Sequence, residues 1–541
     1  MSQLQDSTST PARNQQESPL NPTRDTFAVW DKPLSALGRT HFVGIGGAGM
    51  SVLAQMLSEA GLEVTGSDRQ ASAKTAELES LGIKIAIGQA AANVEGAQTV
   101  VWSSAIKPDN PEIVAAQAQG SLLAHRSDIL ALLLASRQGV TVAGAHGKTT
   151  TSALLAHILR SAGQGDLADP SYAIGGSIQT AEGTQDGGHL GSGQVLVAEA
   201  DESDGSFEKY HPKLALITNV EADHLDHYGS SEAFRAAFAG HARHAREAVI
   251  VCGDDAGARL LLQDLRKDYA GKVVVYTTAS EAQIEEAGWD IWAQVVRIES
   301  ESESSGSGQE HFQLELPADL VNQLGVETEQ GSLAVSLAIP GIHNARNATA
   351  AISAAICLGM RPSAAVEAAG SFLGAARRFD LKGHINGVSV VDDYAHHPTE
   401  IAALLAAARR RYPQAQLRVL FQPHMFSRTQ IFARAFAQAL ATADDVVVTG
   451  VYPARELQAN FPSVGAHTIV DAYHDLGEQS GSVERIEAID DMREGALALA
   501  KRAQPGDVVL TVGAGDITRM GAVIVDELKA QGEQASEGSL A

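Results

Sequence analysis

Two stretches of this chain follow one plan, in which an apolar run ends in a glycine-rich turn that opens a helical pattern. "HFVGIGGAGMSVLAQML" starts at His41 and "GVTVAGAHGKTTTSALLAHIL" at Gly139. No other feature narrows the fold as much. A strand feeding a tight turn and a helix belongs to a parallel α/β sheet, and the turn amides with the helix N-terminus make a seat for anions. The first turn carries G-x-G-x-x-G spacing at Gly44, Gly46 and Gly49, with Ile45, Gly47 and Ala48 between them. Asp68 stands near the offset of about 20 residues at which an acid meets a ribose hydroxyl in dinucleotide folds. The second turn, Gly144, Ala145, His146, Gly147, Lys148, Thr149 and Thr150, is a phosphate loop with two residues between its glycines instead of four.

At 541 residues the chain is too long for a single core, and length alone predicts roughly three to four domains. A composition of 44% hydrophobic and 19% charged residues is that of a folded protein. No apolar run reaches the ~20 residues that span a bilayer, so no membrane insertion is expected. A formal net charge of -25 with no basic stripe speaks against nucleic acid. Phosphates must then be held by local devices: backbone amides, single basic residues and metal ions on carboxylates. Cys252 and Cys357 have neither metal nor redox spacing, which points to a reducing, cytoplasmic compartment.

The order of strand-like and helical runs predicts three α/β domains between two flexible tails. Residues 1–36 form the first tail, and 37–136 a Rossmann-like domain around the first loop. Residues 137–338 form a central, mostly parallel sheet of the phosphate-loop ATPase kind, with a low-complexity insert near 299–309. A third, Rossmann-like unit spans 339–530, and 531–541 reads as a frayed end.

In the central domain one rule gathers the chemistry: ligands of open parallel sheets sit beyond the carboxyl ends of the strands. Lys148 and Thr149 follow "GVTVAGA", Glu199 follows "VLVA", and Asn219, Glu221, Asp223 and His224 follow "LALIT". All are predicted on one rim. Lys148 supplies a point charge for phosphate oxygens, Thr149 and Glu199 hard oxygens for Mg²⁺, and His224 a nitrogen for a second metal site. The bland alternative makes Glu199 part of an acidic loop in which Asp201, Glu202 and Asp204 are solvated, and His224 a packed histidine.

Beyond these features, "GIGGAGM", "GAHGKTTT", "EADESD", "TNVEADHLDHY", "GIHNARNATAA", "GAARRFD", "DDYAHHPTE" and "FQPHMFSRT" appear in the order found in the Mur ligases. From Thr40 to about Asp516 the chain resembles that family. The resemblance implies two nucleotides for two loops, the UDP handle of UDP-N-acetylmuramate on the first and ATP on the second. It implies that the lactyl carboxylate takes the γ-phosphoryl of ATP and that L-alanine displaces phosphate from the acyl phosphate. It implies Lys148, Glu199, His224, Arg378 and Asp393 in the reaction, with Thr149, Glu199 and His224 on metal. Asn344 and Asn347 would lie beside the nucleotide, and Tyr394, His396 and Arg428 beside L-alanine. Met425 stands where relatives often carry arginine, and His397 reads as helix N-terminal packing. Closure of the third domain over ATP is the expected way of assembling the site. Three rivals remain: a muropeptide-recycling ligase of the same family, a dehydrogenase using "GIGGAG" for NAD, and a nucleotide switch without ligase activity. The oligomeric state is open.

Overall fold

The computed structural model describes residues 20–27, 32–181, 183–300, 309–322, 331–454, 456–477 and 483–540. These residues divide into two compact units. One runs from the N-terminal segment to Leu132 and includes Asp204–Lys209; the other holds Leu133–Ser203 and everything from Tyr210.

The first unit is built on a five-stranded parallel sheet. Strand Thr40–Val43 lies between Val64–Asp68 and Thr99–Trp102, with Lys84–Ile87 and Leu122–His125 at the edges. The chain winds outward in both directions from Thr40–Val43, so its carboxyl end is the switch point at which such sheets bind ligands. The predicted N-terminal tail is partly wrong. Leu20 and Phe27 are buried, and Leu20 packs with Val43 and Trp102. Removing these isolated apolar side chains from water holds a polar segment to the core. Residues 1–19 and 28–31 lie outside the described residues.

The second unit carries two sheets. In the ten-stranded sheet, seven strands from Ser171–Ala173 to Gln294–Ser300 are parallel neighbours. Strand Gln138–Ala143 lies between Val195–Glu199 and Leu214–Ile217. The buried centres of these strands are rich in Val, Leu, Ile and Ala because both faces are covered. The Ser/Glu-rich stretch joins Gln294–Ser300 to Glu310–Glu315, which pair antiparallel; its centre, 301–308, lies outside the described residues. The six-stranded sheet has the order Asp380–Ile385, Val388–Asp393, Val508–Val512, Leu417–Phe421, Asp445–Val448, Arg485–Ala488, with its first pair antiparallel.

Two further boundaries differ from expectation. Helix Ile342–Cys357, placed by its sequence at the head of the third domain, shares the core of the ten-stranded sheet: Ala345, Ala348, Ile352 and Ala355 are fully buried with Val140, Leu154 and Ile250. Its small residues allow close approach to helix Lys148–Ala162, and helix Pro362–Gly370 packs into the same core. At the C-terminus, Met520–Leu540 is one helix, through residues read as a frayed end. Ile524 and Leu528 are buried and anchor its first turns, from which each added residue costs little. Among the described residues no helix is long and apolar enough to cross a membrane.

Candidate active site

The second glycine loop leaves strand Gln138–Ala143 and enters helix Lys148–Ala162 through Gly147, which has φ +84°. A Cβ there would also come within 2.7 Å of Asn347 Oδ1, so glycine is required twice over. The neighbouring strand end pins the loop. Asn219 Oδ1 accepts from His146 N at 3.0 Å, while Asn219 Nδ2 and Thr218 Oγ1 donate to the His146 carbonyl at 2.8 and 2.6 Å. Lys148 folds back, donating to the Gly144 carbonyl at 2.5 Å. Thr149 Oγ1 donates to Glu199 Oε1 at 2.5 Å, and Glu199 also accepts from Gly175 N.

Glu202, a solvated acid in the bland alternative, is buried, and its two oxygens lie 3.0 and 2.8 Å from Lys148 Nζ. Its neighbour Asp204 is also buried, on the other unit, where it accepts from Ser104 Oγ at 2.5 Å. Burial pushes Glu202 up to about 7 although Lys148 pulls it down. Burial also works against the charge of Lys148, yet Glu202, with Asp201 and Glu199 behind it, outweighs burial and raises the ammonium's pKa. His224, at φ +52°, sets Nε2 3.9 Å from Glu202 and 3.8 Å from Asp223. Burial lowers its pKa in spite of Asp223, which leaves a neutral ring able to bind metal. Lys148, Thr149, Glu199 and His224 therefore gather on the rim their strand ends predict, with Glu202 between lysine and imidazole.

The opposite wall of the loop comes from the six-stranded sheet. A cavity of about 300 Å³ is lined by His146, Thr150, Asn344, Asn347, Arg378 and Asp393, among others. Asn344 Nδ2 donates to the Pro340 carbonyl at 2.7 Å. Asp393 accepts from Phe379 N at 2.7 Å and Ala395 N at 2.8 Å, holding the chain on both sides of the cavity edge. Burial raises Asp393 to about 6 against the pull of Arg378. The Arg378 guanidinium lies over the Tyr394 ring, 5.2 Å from its centroid, and 3.6 Å from Glu400 Oε1.

His146 faces carboxylates on both sides, Glu221 and Glu400, each at 3.3 Å. Burial opposes its charge, but the two acids raise its pKa to about 9. His146, Glu221 and His397 bring their ligand atoms within 4.8 Å of one another, a spacing a metal could use. His397 caps helix Pro398–Arg411, and Glu400 closes a capping box with it. Sequence reasoning missed Glu400. Its signal was present in a helix that starts at proline with an acid three residues after the cap.

Tyr394 and His396, just beyond strand Val388–Asp393 of the six-stranded sheet, pack edge to face at 5.4 Å. Arg428 Nη2 donates to Asp223 at 3.2 and 3.1 Å, so in this structure its charge is answered by an acid beside His224. Burial opposes the charge of Asp223, but Arg428 and His224 drive its pKa well below the carboxylate range. Met425 has φ +69° and precedes the helix that carries Arg428.

The first loop, in the other unit, lines a separate cavity of about 570 Å³ with Gly44, Gly46, Asp68, Ser72 and Lys107. Gly46 N donates to Asp68 Oδ2 at 2.9 Å, so the acid predicted to meet a ribose also braces the turn. Gly49 belongs to helix Ala48–Glu59, whose N-cap is Gly47.

Three family models match in sequence: the Mur ligase family catalytic domain over residues 39–138, the Mur ligase middle domain over 142–355, and the Mur ligase glutamate ligase domain over 377–515. Proteins called UDP-N-acetylmuramate–L-alanine ligase are similar along their whole length. That of Bifidobacterium adolescentis is 59% identical, with 94% of this chain and 96% of that one aligned. That of Thermobifida fusca is 42% identical, with 91% and 97% aligned. The crystal structure of the UDP-N-acetylmuramate–alanine ligase of Thermotoga maritima has a TM-score of 0.69 at 29% identity, covering 91% of this chain and 99% of its own. The middle model ends at residue 355, inside the helix that packs on the ten-stranded sheet, and the third begins at 377, just before the six-stranded one. The chain belongs to the Mur ligase family.

Proposed function

We propose that this protein joins L-alanine to the lactyl carboxylate of UDP-N-acetylmuramate with ATP, releasing ADP and phosphate, as a cytoplasmic enzyme of peptidoglycan precursor synthesis. One observation carries the reading: full-length similarity, at up to 59% identity, to proteins named for that reaction. The geometry supplies the means. In the ATP cavity the loop amides receive the phosphates, with Lys148 on the same loop as their counter-charge; Asn344 and Asn347 border the nucleotide, and Asp393 sets the edge on which Arg378 stands. Lys148 enters already charged, so it neutralises phosphate without taking up a proton.

The oxygens of Thr149 and Glu199, 2.5 Å apart, form a hard donor set that suits Mg²⁺, and the neutral ring of His224 suits a second ion. Such ions, when bound, neutralise phosphate charge during transfer. Arg378 contributes the guanidinium that meets charge on the phosphoryl group as it moves to the lactyl carboxylate. The acyl phosphate then needs an amine nearby and water kept out. Tyr394, His396 and Arg428 are assigned to L-alanine, whose carboxylate exchanges for Asp223 on Arg428. The first loop holds the UDP handle.

The test is ADP release from ATP with UDP-N-acetylmuramate and, in turn, L-alanine, glycine, L-serine and short peptides as acceptors. Release that requires the UDP-sugar and is fastest with L-alanine supports the reading. Preference for a peptide moves the protein to the recycling branch of the family, and hydride transfer from a substrate to NAD overturns the reading altogether.

A further inference from the structure

We propose that Glu400 is a positioning residue, whose carboxylate sets Arg378 against the phosphate loop through His146. The proposal rests on the ligase reading above. Glu400 belongs to helix Pro398–Arg411, and its side chain is 9% exposed. Its two oxygens have different duties. Oε2 accepts from His396 N at 2.9 Å and His397 N at 3.3 Å, and lies 3.2 Å from His396 Nδ1, so it fixes the start of its own helix. Oε1 faces the cavity, 3.3 Å from His146 Nδ1 and 3.6 Å from Arg378 Nη1. A single carboxylate thus ties an element of the six-stranded sheet to the glycine loop of the ten-stranded sheet, and holds the arginine that stands between them.

The physical need follows from the side chains involved. A free arginine carries rotamer entropy that must be removed before its guanidinium can act at one point. The Tyr394 ring restricts one face of Arg378, and Glu400 restricts its end. His146 is itself held at its backbone by Asn219 and Thr218, so Glu400 reaches a fixed point of the loop. Thr399 Oγ1 donates to Glu221 Oε1 at 2.7 Å beside it, tying the same helix to the segment that follows strand Leu214–Ile217. Glu400 also stays ionised: burial opposes its charge, but His396 and His146 hold its pKa well below the ordinary value. Glu400 touches none of the reacting atoms in this scheme. It acts through Arg378 and the loop.

The test uses the full chain and steady-state ADP formation from ATP, UDP-N-acetylmuramate and L-alanine. Glu400→Gln keeps an oxygen for the helix cap and loses the charge. Its kcat is expected to fall roughly tenfold or more, with KM for the UDP-sugar within twofold of wild type. Combined with Arg378→Lys, it is expected to slow the enzyme no further, within twofold, than Arg378→Lys alone, because both changes remove one interaction. A kcat within twofold of wild type, or a double variant slowed by the product of the single effects, overturns the proposal. Should the glutamine variant fail to fold, Glu400→Asp keeps charge and cap but shortens the reach, and the same non-additivity is required of it. Wild-type protein that forms no ADP with these substrates overturns the ligase reading and this proposal with it; normal wild-type turnover with additive variants overturns this proposal alone.

Discussion

Around Gly46 the turn amide donates to Asp68, and Lys107 lines the same cavity. Around Gly147 stand Lys148 with Glu202, Thr149 with Glu199, His146 with Glu221 and Glu400, and Arg378 with Glu400, paired at distances between 2.5 and 3.6 Å. The two loops share a backbone plan, strand to glycine turn to helix, and both lie at the carboxyl ends of parallel strands. The difference between them teaches what that plan leaves open. A glycine turn provides amides and close approach, which suffice to hold a diphosphate as a handle. Moving a phosphoryl group demands fixed charges of both signs, and those come from neighbouring strand ends and from a second sheet.

That contrast can be broken most sharply at Lys148. Lys148→Ala is expected to lower kcat for ADP release roughly 10³-fold, about 4 kcal/mol of barrier; a rate within tenfold of wild type would remove the distinction between the loops. A paired comparison of glycines comes next. Gly147→Ala meets both a left-handed φ and Asn347, and is expected to cut ATP turnover about 100-fold, with stability down by about 1–2 kcal/mol. Gly46→Ala brings a Cβ to 2.9 Å from Asp68 Oδ2, and is expected to raise KM for the UDP-sugar about tenfold while kcat stays within threefold. Steady-state kinetics with each substrate varied separates the two outcomes.

A third prediction concerns pH. The folded-state pKa of His146, about 9, lies above the ordinary 6.5. The stability it supplies is therefore fully present below pH 6.5 and lost as pH rises through 9. Denaturant unfolding of wild type and His146→Asn should differ more at pH 6 than at pH 10, by about 3 kcal/mol at most. An unchanged difference would show that the imidazolium is not held by Glu221 and Glu400. The smallest effect is expected at Asp68→Asn, which keeps an acceptor for Gly46 N and should change KM for the UDP-sugar by less than about threefold. A larger change would mean that charge matters at the first loop too.

Much of this site is legible in the sequence because strand ends in a parallel sheet share a rim. Lys148, Thr149, Glu199 and His224 could be placed together from the apolar runs before them. Glu202 could not. Three residues beyond a strand end, in an acidic run, nothing local tells which acid turns inward, and the half-buried ammonium of Lys148 decides it. Arg428 shows the same limit: the family resemblance sets it beside L-alanine, and the folded chain offers it Asp223.

Helix Ile342–Cys357 reads as the start of a new domain because a proline–glycine turn precedes it. Its small buried residues belong to the core behind it instead. Leu20 and Phe27 were hidden for the opposite reason, since two apolar residues in a polar stretch leave no period to detect.

The sequence by itself determined the two glycine loops, the parallel sheets that carry them and the lysine on the second, because backbone turn chemistry and apolar periodicity are local. Only the tertiary structure decided which charges face which. Glu400 against His146, Glu202 against Lys148 and Asp223 against Arg428 are pairs separated by 54 to 254 residues. Their energies depend on distance and burial, quantities that exist only after distant segments have packed.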